Sequence, residues 1–132
     1  MLSFGKHKRL AKAIDAFMVR WIEIQAMDGM LSGTKAPPQN HLAMCGILWG
    51  VTDSLGQLQG LDVKTTVRGL KLYLAKYADG ESMFRLVVAA PHNPEAQPWV
   101  HMFGSAVRAI AEGKDPIKVL LPLAEKFRLG IA

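Results

Sequence analysis

The sequence of 132 residues has one cysteine, Cys45, so no disulfide can form within the chain and a disulfide-stapled scaffold is excluded. A lone thiol also suits a reducing compartment. Long apolar runs are missing too. The longest nearly apolar stretch, Leu42 to Val51, is about half of what a membrane-spanning helix needs. No secretory signal is read at the N-terminus, where basic residues are followed by Asp15, Arg20 and Glu23 rather than by an unbroken apolar segment. The expectation is a soluble cytoplasmic protein, without a membrane span and of bacterial origin. Charged residues make up only 20% of the chain while 50% are apolar, so burial can offset chain entropy and disorder is excluded. The length is that of one domain, residues 1–132.

What the sequence does have is helical periodicity. From Lys6 to about Met27, apolar residues recur at Leu10, Ile14, Phe17, Trp21 and Ile24, the three-and-four spacing of one helical face. Met18, Val19, Ile22 and Met27 extend the apolar character around the second half. Asp28-Gly29 reads as the terminator. Asn40 is a suitable N-cap for a second helix to about Leu58. Four glycines lie in or just after it, and each one interior to a helix costs roughly 1 kcal/mol relative to alanine. Close approach of another helix at Gly46 and Gly50 is the expected compensation, with a ligand lying on the bare backbone as the alternative.

Asp62 caps a third helix with Val63, Val67, Leu70, Leu74 and Tyr77 on one stripe, and Asp79-Gly80 is expected to close it. The segment from Glu81 to Ala90 fits a helix or a short buried strand, and helix is preferred because no second strand exists to pair with it. Trp99, Met102, Phe103, Val107 and Ile110 mark another helix, ending at Gly113. Asp115-Pro116 opens the last. Pro122 should kink or divide it. The fold class expected is all-α, a single-domain bundle of five to six helices with orthogonal packing, in which residues 1–5 are flexible and 30–39 and 91–97 are exposed loops.

Charge is segregated. Residues 1–12 hold Lys6, Lys8, Arg9 and Lys12 with no acid, residues 63–78 hold Lys64, Arg68, Lys71 and Lys76 with no acid, and the remainder is slightly acidic. Lys64, Arg68 and Lys71 fall within an arc of about 60° at 100° per residue, with Lys76 turned away. Such a stripe, helped by Lys8, Arg9 and Lys12, suits a phosphate backbone. It equally suits the solvated face that any amphipathic helix carries. No RNP-like pattern, zinc finger, phosphate loop or helix-turn-helix accompanies it, and Tyr73 lies away from the arc.

Catalytic chemistry finds little support. His41 and Cys45 share a helical face at spacing usable for metal ligation or a thiol and base pair, but further ligands or an oxyanion site are not announced. Cys45 reads as a buried hydrophobe. His92, Asn93 and Glu95 sit in a proline-rich loop that is either a modest binding site or a capping turn before Pro98, and His101 faces away from the core or lines a groove beside it. No cofactor and no metal site are expected. The apolar surplus of the first helix, together with seven Met and three Trp, points instead to contact with protein. The expected function is a non-enzymatic helical interaction module, an adaptor, regulator or self-associating accessory protein, with Phe17, Trp21, Ile24, Gly46 and Gly50 as contact residues. A nucleic-acid-binding regulator using the two basic segments is the alternative.

Overall fold

Three helix starts are set by short polar side chains. Asn40 Oδ1 accepts from the backbone N–H of Ala43 at 3.1 Å, Asp62 Oδ1 from that of Thr65 at 2.7 Å, and Asp115 Oδ1 from that of Ile117 at 2.9 Å. Each satisfies a donor that the first helical turn leaves without a partner. The computed structural model describes residues 5–33 and 40–130. Among these it contains six α-helices: α1 (Lys6–Ser32), α2 (His41–Leu58), α3 (Val63–Leu74), α4 (Gly80–Ala89), α5 (Gln97–Ala111) and α6 (Pro116–Leu129), with a 3-10 turn at Ala90–His92 and no strand. The chain is an all-α bundle, and the segment after Glu81 is helix.

Several element ends differ from the local expectation, each because of a tertiary contact. α1 runs through Asp28-Gly29 rather than stopping there. The Asp28 carboxylate, 10% exposed, accepts from Arg128 Nε of α6 at 2.8 Å, which holds the helix on course. Gly33 supplies the left-handed cap instead, at φ +76°, its N–H donating to the Gly29 carbonyl. The loop expected at 30–39 therefore begins only at Gly33, and residues 34–39, like residues 1–4, lie outside the described part. α3 stops at Leu74, and Asp79-Gly80 opens α4 instead of closing α3. A Cβ on Gly80 would clash with the Leu74 carbonyl oxygen, so glycine permits the tight reversal between the two helices. The 91–97 loop is in part structured: it carries the end of the 3-10 turn, and Ala96 within it is fully buried. Pro122 does not divide α6, which is continuous from Pro116 to Leu129.

Two helix pairs make the most extensive contacts, α2 with α5 and α1 with α3. Along α2, a Cβ on Gly46 would lie 2.3 Å from the Ala96 carbonyl oxygen, and one on Gly50 would lie 2.5 Å from that of Val100. Further on, Ser54 Oγ approaches Gly104, and Gln57 Oε1 accepts from Arg108 at 2.9 Å. The constant advance along both helices means that α2 and α5 run parallel and side by side over about three turns. α1 and α3 are parallel as well: Gly69 abuts His7 and Leu10, and seven residues onward, just past the end of α3, Lys76 pairs with Asp15. In these two pairs small residues replace the orthogonal crossing expected from short connections. The core between them is aromatic at its centre. Trp21 stands edge-on to Phe103 at 4.8 Å and to Phe127 at 6.0 Å, and Trp99 is edge-on to Phe127 at 5.5 Å, joining α1, α5 and α6.

Candidate interaction surface

The residues expected to contact a partner are mostly spent inside the fold. Trp21 is fully buried and Ile24 nearly so, Phe17 is half-buried against the core, and Gly46 and Gly50 lie under the backbone of α5. The close helix approach expected at the two glycines is what the structure contains. None of these residues except the edge of Phe17 offers area to a second molecule.

The apolar surplus of α1 is nevertheless on the surface, on the opposite face. Leu10, Ile14, Trp21, Ile24 and Asp28 form one buried line of the helix, and Ala11 and Met18, also buried, widen it toward Ile22. Val19, Ile22, Ala26 and Met30 are turned from the Leu10–Asp28 line by about 120–180° at 100° per residue. Their spacing of three, four and four makes a continuous stripe. Val19 is 50% exposed, Ile22 62% and Met30 85%, and Leu31 beside Met30 is 73% exposed. Arg20 and Glu23 flank this stripe on one side, both exposed and neither in an ion pair or side-chain hydrogen bond among the described residues. Toward the N-terminus the same outward face carries Lys8 and Lys12, also exposed. One long helix thus presents outward a basic third followed by an apolar two-thirds.

Of the four residues that widened the apolar arc in the sequence, Val19 and Ile22 lie in this stripe, Met27 is exposed beside it, and Met18 is buried in the core. What the sequence lacked was the choice of face. A helix apolar on two sides buries whichever one its neighbours reach, and here α3 and α6 cover the Trp21 side.

The two basic segments approach each other where Lys6 and Lys64 both help to lower the pKa of Asp62. Gly69 of α3 faces α1, and Lys64, Arg68 and Lys71 are turned from it by about 100–160°. Lys71 lies over the Phe84 ring at 5.9 Å, at the edge of a groove of about 550 Å³ between α3 and α4 that also contains Tyr77, Glu81 and Arg85. Lys8, Arg9 and Lys12 point away from α3 on the other helix. Lys76 is taken up internally: it pairs with Asp15 and stacks over the rings of Tyr73 at 4.7 Å and Tyr77 at 5.3 Å. The hydrogen bond to Asp15 raises its pKa above the ordinary lysine value. Burial, with the Tyr77 hydroxyl 3.4 Å away, raises the Tyr73 pKa as well.

His41 and Cys45, one turn apart on α2, differ in their surroundings. His41 is exposed and Cys45 is 1% exposed. Burial raises the thiol pKa, which keeps it protonated and a poor nucleophile. The Asn93 side chain accepts from the Glu95 N–H at 3.0 Å, and its carbonyl accepts from Ala96 and Gln97. That is a capping turn into α5. His101 stands at the rim of an open apolar groove of about 450 Å³ between α5 and α6, floored by Met102, Val119 and Leu123. No group of three or more His, Cys, Asp or Glu side chains among the described residues is placed to hold a metal ion. No helix among them is long and apolar enough to cross a membrane. Comparison with known proteins finds no match: no family model, no curated protein and no solved structure aligns with the chain.

Proposed function

We propose that this chain is a non-enzymatic, self-associating helical module of the reducing cytoplasm, whose contact surface is the outward face of α1. One observation carries the reading: Val19, Ile22 and Met30 are exposed in a single stripe along α1. Scattered exposed apolar residues are ordinary on any protein, but a stripe aligned at helical spacing is the pattern used for helix-to-helix contact. The bundle does not need these side chains. Its core is closed by Leu10, Ile14, Trp21 and Ile24 on the other side of the same helix.

The test uses that separation of roles. Ile22→Asp, alone and with Met30→Asp, places charge in the stripe without touching the core. The variants should elute from a sizing column as monomers where the unchanged protein elutes larger. At dilutions where the unchanged protein is itself monomeric, their thermal unfolding should stay within about 0.5 kcal/mol of it, as expected for surface positions. Equal elution of parent and variants would refute the proposed surface. Nucleic-acid binding is the weaker reading, because the two basic clusters face different directions and Lys76 is committed to Asp15.

A further inference from the structure

We propose that the groove between α3 and α4 binds a nucleotide whose base carries an amino group. At about 550 Å³ the groove has the volume of a site for a small organic ligand, and a lone phosphate or amino acid would leave most of it empty. Its two ends differ. Lys71 of α3 and Arg85 of α4 stand at one end, where the half-buried Phe84 ring, 5.9 Å from Lys71 Nζ, lines the wall. One turn nearer the connection between the helices, Ala75 follows Lys71 and Glu81 precedes Arg85, and Tyr77 and Ala78 of the connection close that end. The groove thus runs from a cationic end to one with an aromatic ring, a carboxylate and small side chains, about 5 Å away.

Charge and shape select the ligand. Among the described residues Lys71 makes no ion pair, and Arg85 makes only a loose one, 3.7 Å from the Glu81 carboxylate with the two side chains 78% and 86% exposed. Both cations are available to an anion. Two positive charges match those of a phosphate monoester, and the guanidinium fork takes two of its oxygens. At the other end a flat base fits against the Tyr77 ring, which is 46% exposed, beside Ala75 and Ala78, where longer side chains would fill the space. The Glu81 carboxylate only accepts hydrogen bonds. It therefore takes the amino group of cytosine or adenine and repels the carbonyl that uracil presents in the same place. The ribose spans the turn between the ends. An aromatic carboxylate would use the cations and the ring but leave Glu81 without a partner. The site needs one basic helix and no second copy, so it is independent of self-association through α1.

Isothermal titration calorimetry tests this with CMP and AMP, with UMP and IMP, in which a carbonyl replaces the amino group, and with cytidine, adenosine and inorganic phosphate. CMP or AMP should bind with a Kd below about 1 mM. The nucleosides and phosphate each reach one end only and should bind at least about tenfold more weakly. UMP and IMP, nearly equal in shape to their amino counterparts, should also lose about tenfold against Glu81. Lys71→Ala and Arg85→Ala change exposed positions, which circular dichroism should show to leave the fold intact, and each should weaken nucleotide binding at least about tenfold. Glu81→Gln should bring UMP level with CMP, because an amide both donates and accepts. An oligocytidylate of about eight units distinguishes the sources: an affinity close to that of CMP assigns the free nucleotide, and a gain of about a hundredfold or more assigns a single strand. Absence of binding by CMP, AMP and the oligonucleotide at about 10 mM would overturn the proposal. So would phosphate binding as tightly as the nucleotides, UMP and IMP binding as tightly as CMP and AMP, or an unchanged affinity in both Lys71→Ala and Arg85→Ala.

Discussion

Thr52 is fully buried in α2, and its hydroxyl has no hydrogen-bond partner among the described residues. A buried hydroxyl without a partner loses its hydration for nothing, so Thr52→Val, nearly equal in shape, should stabilise the protein by about 1 kcal/mol. Differential scanning calorimetry should show a higher Tm; a lower one would mean that the hydroxyl is satisfied in solution. Titratable groups give a second expectation at this scale. Burial raises the pKa of Cys45 and of Tyr73, and the contact with Asp15 raises that of Lys76. In each case the folded state holds its proton to higher pH than the unfolded chain does. Stability from these groups is therefore complete below the ordinary thiol value of about 8.5, begins to fall as pH passes the ordinary thiol, phenol and lysine values, and is lost as pH rises through the higher values of the folded state. Tm should fall progressively above about pH 9. A Tm that stays level or rises from pH 8 to pH 11 would show that these groups are not held as described. Asp62 acts in the opposite sense: hydrogen bonds from Thr65 lower its pKa, so its contribution is present above the ordinary carboxylate value and fades in acid.

At the scale of elements, the packing of α2 on α5 reverses an ordinary rule. Replacing glycine by alanine inside a helix normally stabilises by about 1 kcal/mol. At Gly50 the new methyl would lie 2.5 Å from the Val100 carbonyl oxygen and 3.2 Å from the Gly104 nitrogen, both backbone atoms that cannot swing away. Gly50→Ala should therefore destabilise by about 2 kcal/mol or more, lowering Tm by at least about 5 °C. A gain in Tm would show that the helices are not in close contact. The glycine spacing made this approach legible in the sequence, although which helix approaches was not. Helix starts were legible for the same reason: Asn40, Asp62 and Asp115 act on their own first turns. Two helix ends, those of α1 and α3, were not. Asp28-Gly29 has the local signature of a stop, but Arg128, 100 residues away in sequence, holds Asp28 within the helix. Asp79-Gly80 looked like the end of α3, and only the Leu74 carbonyl beneath Gly80 makes it the beginning of α4.

On the scale of the whole molecule, the question is which of two apolar faces of α1 the bundle buries. Periodicity marked Leu10, Ile14, Phe17, Trp21 and Ile24 as one stripe, and the surplus at Val19, Ile22 and Met27 as an extension of it. The contact residues were expected in the stripe because it is the stronger pattern. The structure uses that strength for its own core, where Trp21 joins Phe103 and Phe127, and leaves the weaker stripe outside. The general reading, more apolar helix surface than one small bundle covers, was available from composition. The residues that display it depend on where α3 and α6 settle, which no local pattern encodes. Sedimentation velocity on the purified protein over a dilution series tests this account most directly. The central claim predicts that the sedimentation coefficient rises with concentration from a monomer value to a dimer value, and that Ile22→Asp remains at the monomer value throughout; a single monomer value for the unchanged protein at every concentration would contradict it.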